Sequence, residues 1–301
     1  MKNPYYIILL VLLYWPLRQQ AQTPDFEDML KKVDHYLHNT PDSAKPLLDH
    51  WLAPGAHTLG PEQSMQLYNR LGQYYSYTQD YGPAQRAFRQ ALRHARQAGD
   101  EKGAHKQISY LANVYNQESK YDSAQAYYSQ AIRYFRSTGD SAALASSLSN
   151  QASALIYMGR QEEALKQLFE AERIYKKQGK PLTLGTTYEN IAAIHADLGY
   201  DSLVVAYTRK AIRIYKRAGS QTYLAWAYAD LGVAFKQLAR YDSALHYYNH
   251  SVDLAKVQQN TYLLAKNYLN MGNLYDEQGQ DKQAVASYKQ SLALSKQAGI
   301  A

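Results

Sequence analysis

The chain is 301 residues long, with 33 Lys and Arg against 26 Asp and Glu, a formal net charge of +7 and no Cys. The missing Cys excludes disulfides, thiolate nucleophiles, Cys-ligated metals and a lipid-modified N-terminal cysteine. The charge is a mild bias scattered over the chain, as in Lys166, Arg173, Arg209, Lys210, Arg213 and Lys216, and no nucleic-acid-binding motif accompanies it.

Residues 1–21 have the layout of a signal peptide. Met1-Lys2-Asn3 is short and basic, Tyr5 to Trp15 is an unbroken apolar run, and Ala21 offers a small residue at the cut. The run makes about 16 Å of helix at 1.5 Å per residue, short of the roughly 20 residues that a bilayer core requires. Cleavage is expected after Ala21, which leaves no stable membrane span and places the mature chain in the periplasm or outside the cell. An uncleaved, membrane-anchored segment is the alternative.

Residues 22–60 read as a degenerate N-terminal capping repeat. Phe26, Met29, Leu30, Val33, Tyr36 and Leu37 form the apolar stripe of one helix, and Pro41-Asp42-Ser43-Ala44 begins a second. Trp51 stands where later units have a small residue, and Ala53 to Gly60 is a loop.

From 61 to 300 the chain repeats without a gap in six blocks of 40 residues: 61–100, 101–140, 141–180, 181–220, 221–260 and 261–300. One column is always small (Gly72, Ala112, Ala152, Ala192, Gly232, Gly272), and three residues on comes a mostly bulky one, from Tyr75 to Tyr275. A second small column (Ala84, Ala124, Ala164, Val204, Ala244, Ala284) is followed four residues on by Phe88, Tyr128, Leu168, Thr208, Tyr248 and Tyr288. A third small column runs from Ala91 to Ser291. Apolar spacings of three and four mark helices rather than strands. In the fifth block they give two stripes, from Tyr228 to Phe235 and from Leu245 to Leu254, around a loop at Leu238–Asp242. Asp122 and Asp242 are expected to N-cap second helices, with Gln125 completing a capping box at the first. Gly99, Gly139, Gly179, Gly219 and Gly299 are expected to end them in left-handed geometry, and Asp100, Asp140 and Ser220 to cap the next first helix.

These columns resemble the tetratricopeptide repeat (TPR) family: an aromatic, Leu, small residue and Tyr in a first helix, then Ala, an aromatic and Ala in a second. Tyr68, Tyr188, Tyr228 and Tyr268 supply the leading aromatic, while Ile108 and Leu148 depart from it. The usual unit is about 34 residues; this one is similar to the 40-residue repeats of kinesin light chains and spindle-orientation adaptors, and suggests a bacterial exported TPR protein. The resemblance implies an all-α fold, a right-handed TPR superhelix (α-solenoid) of six helix pairs plus the degenerate N-terminal one.

No enzyme signature emerges. His246 and His250 have helical metal-ligand spacing but no Glu and no third ligand in HYYNH, and His195 occupies an aromatic column as a core residue. Glu162-Glu163 suits a helix start. Neither cofactor nor metal is expected.

In the resembled family the first helices line a concave groove, and two groove positions per repeat flank the Leu-small pair. Here they include Arg70, Asn150, Asn190 and Asn270, then Gln73, Asn113 and Asn273. Asn carries both a donor and an acceptor and so can pair with the backbone of an extended peptide. Asn113, Asn150 and Asn190 are expected to form a ladder, with Arg70 and Lys106 able to clamp a terminal carboxylate. The leading reading is a non-enzymatic scaffold that binds an extended peptide or protein segment and no nucleic acid. One alternative is the extracytoplasmic input region of a truncated signalling protein, a histidine kinase or transcriptional regulator. Another is a self-associating subunit of the cell envelope. Val285, Tyr288, Leu292 and Leu294 keep the last helix as apolar as its inner counterparts, so its outer edge is expected to be covered.

Overall fold

A computed structural model describes residues 24–299, and within them every element is an α-helix, arranged in consecutive antiparallel pairs. Contacts divide the chain into two units, up to Ala154 and from Leu155. The first holds α1 (Pro24–Asn39), α2 (Pro41–Leu52), α3 (Pro61–Tyr77), α4 (Tyr81–Gln97), α5 (Glu101–Gln117), α6 (Tyr121–Thr138) and most of α7 (Ser141–Tyr157). The second holds α8 (Gln161–Gln178), α9 (Pro181–Asp197), α10 (Asp201–Arg217), α11 (Gln221–Gln237), α12 (Tyr241–Val257), α13 (Thr261–Glu277) and α14 (Asp281–Gln297). The expected signal segment lies outside the described residues, and none of the described helices is long and apolar enough to cross a membrane.

From Pro61 onward a helix starts every twenty residues. One turn geometry explains the regularity. Asp100 N donates to Ala95 O (2.9 Å), Lys120 N to Tyr115 O (2.9 Å), Ser220 N to Tyr215 O (3.0 Å) and Gln280 N to Tyr275 O (2.8 Å). This bond spans five residues and needs a left-handed residue just before its donor. The glycine column fills that role at Gly99 (φ 72°), Gly179 and Gly219. Elsewhere Gln79, Ser119, Ala239 and Gln259 are forced to φ values of 53–60°. A left-handed L-residue costs roughly 1–2 kcal/mol, and glycine's extra chain entropy returns part of the gain from relieving it. Ala239→Gly is therefore expected to stabilise the protein by about 0.5–1 kcal/mol, a rise of about 2 °C in a thermal melt.

The same turn corrects two of the expected caps. Helices α6 and α12 begin at Tyr121 and Tyr241, so the cap residues are Lys120 and Arg240, neither with a side-chain cap bond. Asp122 and Asp242 sit inside the first turn, where they favour the helix dipole without capping. Ser220 stands at the cap of α11 but makes no side-chain bond. Asp100 and Asp140 do cap, accepting from Gly103 N (2.7 Å) and Ala143 N (3.1 Å). Asn260, not among the expected caps, caps α13 through Leu263 N (3.0 Å).

Packing follows the columns. The small residue of a first helix faces the ring of its own second helix: a Cβ at Gly72 would lie 2.6 Å from Phe88, and at Gly232 2.6 Å from Tyr248. In the third small column Ser251 and Ser291 donate to carbonyls 26 residues upstream, Ala225 O (2.7 Å) and Ala265 O (2.8 Å). At the N-terminal end α1 and α2 bury Phe26, Met29, Leu30, Val33 and Leu37 against Ala44, Leu48 and Trp51. Trp51 is accommodated because it turns its edge to Phe26 (5.3 Å) and its face to His57 (3.8 Å), a ring from the 53–60 loop. On α14, Val285 and Leu292 are exposed.

Candidate functional site

The predicted groove residues of the first unit are tied to one another. Arg70 donates through Nε and Nη2 to both oxygens of Asp34, each at 2.9 Å. Its guanidinium is thus paired with a carboxylate of α1, the kind of group that the expected clamp would hold. Lys106, the other half of that clamp, is exposed on α5. Gln73 Nε2 donates to Asn69 Oδ1 (2.7 Å), and Asn69 Nδ2 donates to Gln107 Oε1 (2.9 Å), a buried amide chain that crosses from α3 to α5. Asn113 and Asn150 do meet: Asn150 Nδ2 donates to Asn113 Oδ1 (3.1 Å). The same oxygen accepts from the Tyr128 hydroxyl, so Asn113 is the less available member and Asn150 the exposed one.

In the second unit Asn190 is half-buried on α9. Asn273 is held like Asn113, by the hydroxyl of Tyr288 (2.9 Å). This Tyr-Asn bond has a gap in the fifth block, where Val233 replaces the Asn. The Tyr248 hydroxyl is buried there with no partner among the described residues. An unmade buried hydrogen bond costs about 1–3 kcal/mol. Val233→Asn is expected to add about 1 kcal/mol to urea-unfolding stability in the wild-type background and nothing in a Tyr248→Phe background.

Asn270 opens onto a 690 Å³ cleft walled by α9, α10, α11 and α13. Its origin is legible in the columns. Thr208 stands where other blocks carry Phe, Tyr or Leu, and it lines the cleft together with Ala192 and Ala193. The missing ring leaves the space. Three carboxylates line it, Glu189, Asp201 and Asp230. Glu189 Oε2 accepts from the buried Tyr215 hydroxyl at 2.8 Å. Burial raises its carboxyl to about 7, against the pull of the Tyr215 bond and with a push from Asp230. Asp230 lines the cleft and keeps 49% of its side-chain surface open. Burial raises its carboxyl too, and Lys266, 3.8 Å away, draws it back. Asn270 Nδ2 is buried at the cleft with no partner among the described residues.

The repeat columns pointed to Asn270 and, in the same groove column, to Asp230, but not to Glu189, because an acid on a first helix looks like any solvated residue until the missing ring beside it is counted. His195 is buried, ring-stacked on Tyr207 (5.5 Å) and lowered in pKa by burial. His246 and His250 touch edge to face at 4.5 Å, and no metal-ligating cluster of three exists among the described residues.

Family models described as tetratricopeptide repeat match residues 66–97, 107–177, 227–258 and 268–300. No curated protein matches the chain in sequence. Among solved structures, the apo form of RapI is similar at a TM-score of 0.69 and 13% identity, over 92% of this chain and all (100%) of that one. NprR in complex with its cognate peptide NprX is similar at 0.59 and 15%, over 97% and 85%. A Podosopora anserina putative kinesin light chain with nearly identical TPR-like repeats is similar at 0.58 and 16%, over 67% and 100%. The likeness to these chains is one of fold, and the matched segments together span more than half of the residues: the chain carries tetratricopeptide repeats in both of its units.

Proposed function

We propose that this protein is a non-enzymatic scaffold whose first helices bind an extended peptide or protein segment. The observation that carries the reading is the amide face of those helices. Asn150 is exposed, Asn190 and Asn270 are half-buried, and each sits at a position flanking the Leu-small pair of its repeat. An Asn side chain can meet both the N–H and the C=O of an extended backbone, which gives affinity without demanding a particular sequence. The fold agrees: NprR was solved with its cognate peptide and a Rap protein with competence and sporulation factor, the latter similar at a TM-score of 0.66. Residues 22–60 act in this reading as the capping repeat, the six blocks from 61 to 300 as the binding array, and residues 1–21 as a signal that exports the chain to the periplasm or beyond.

The test is selection of a random peptide display library on the purified chain. Asn150→Ala with Asn190→Ala should weaken the selected peptides at least tenfold while leaving the helical signal and melting curve intact. Asn113 is kept, because its removal would strand the Tyr128 hydroxyl. Peptides that bind both proteins equally would move the site away from these helices, and a failure to select any would end the reading.

A further inference from the structure

We infer that the cleft between α9, α11 and α13 is a pocket for a basic side chain, the guanidinium or ammonium group of an Arg or Lys in the bound segment. The inference rests on the peptide reading for its setting, though the pocket's chemistry stands on its own. The cleft holds 690 Å³, room for a long side chain, and is open to solvent. Its small, largely apolar walls suit a methylene stem. Glu189 offers Oε1, since Tyr215 holds only Oε2, and Asp230 lines the same cleft. Lys266 reaches Asp230 at 3.8 Å, too long for a tight pair, and is a single base against three acids that line the cleft, Glu189, Asp201 and Asp230. This reverses the sign of a chain that carries +7 overall.

A second feature points to a ligand and is independent of the charge. Asn270 Nδ2 is a buried donor with no acceptor among the described residues. A backbone carbonyl beside the basic residue would supply that acceptor. The carboxylates push against each other across the cleft, and burial holds both above their ordinary range. An arriving cation relieves both conditions at once, whereas an anion meets the acids and an apolar group leaves them uncompensated.

The experiment has two arms on the full chain. The first is an NMR titration with N-acetyl-arginine methylamide, a single blocked residue that needs no groove. It should shift the Asn270 side-chain amide and the Gly199 backbone amide. Both shifts should be lost in Glu189→Gln with Asp230→Asn. They should also be lost in Thr208→Leu, which fills the cleft with the Ala-Leu column combination that the third block carries at Ala152 and Leu168. The second arm compares display libraries with and without Lys and Arg. Binders should come from the first with a basic residue at one fixed position, and should weaken at least tenfold on the double acid variant. Arginine shifts without any selected peptide would uphold the pocket and end the peptide reading. Neutral binders with no arginine shifts would overturn the pocket and leave the peptide reading standing. Failure of both arms would end both.

Discussion

Glu189→Gln is expected to stabilise the protein by about 1–3 kcal/mol at pH 8 and to leave its stability almost unchanged at pH 4. The wild-type carboxyl is raised from 4.5 to about 7 in the fold. Between these two values the native state holds a proton that the unfolded state has released, so stability falls as pH rises through that window. Every tenfold difference in proton affinity between the two states corresponds to about 1.4 kcal/mol, which bounds the loss at about 3 kcal/mol once both are ionised. The groups facing Glu189 are the Tyr215 hydroxyl from α10, the Asp230 carboxylate from α11 and, beyond Asp230, the Lys266 ammonium from α13. The neutral amide still accepts from Tyr215 and no longer repels Asp230. Urea unfolding of both proteins at pH 4, 6 and 8 checks the prediction; a difference independent of pH would show that Glu189 titrates normally.

Gly232→Ala is expected to cost about 1–3 kcal/mol, although the same column carries Ala in three other blocks. The new Cβ would lie 2.6 Å from two ring carbons of Tyr248, a side chain with no exposed surface and no room to retreat. Adding Tyr248→Leu should recover a large part of the loss. That substitution alone leaves a void and destabilises in its own right, so the double variant should be more stable than the two single costs predict, by about 1 kcal/mol or more. Agreement with simple addition to within about 0.5 kcal/mol would mean that the two side chains do not share one space.

Much of the fold was legible because the repeat writes the same physics six times. A small residue at Gly72, Ala112 or Gly232 is weak information alone, but in a column it marks where two helices approach. The glycines at 99, 139, 179 and 219 likewise announced the turns, and the expected φ appears at each. The misplaced caps at Asp122 and Asp242 came from relying on side-chain preference. The five-residue backbone bond fixes the helix start, and its other left-handed positions are filled by Gln79, Ser119 and Ala239, which carry no such signature. The site was legible in its amides but not in its partners. Spacing placed Arg70 on the groove face, yet Asp34 lies 36 residues upstream on a helix outside the repeats, and no periodicity links the two. The cleft was hidden differently. Thr208 was visible as an odd member of its column, but what an absent ring exposes depends on which neighbours line the space.

The twenty-residue cadence of helix starts bears on how such a chain changes over generations. The turns at both ends of block 181–220 are closed by the same backbone bond, Lys180 N to Tyr175 O and Ser220 N to Tyr215 O, so cutting the chain at one and rejoining it at the other recreates an identical junction. Loss or duplication of a block therefore requires no new linker and disturbs only the faces of the neighbouring pairs. Copy number is free to drift by recombination, and a cassette such as 181–220, which brings Glu189 and Thr208 together, can be gained or discarded whole. Selection then acts on which cassettes stand next to each other, rather than on residues one at a time.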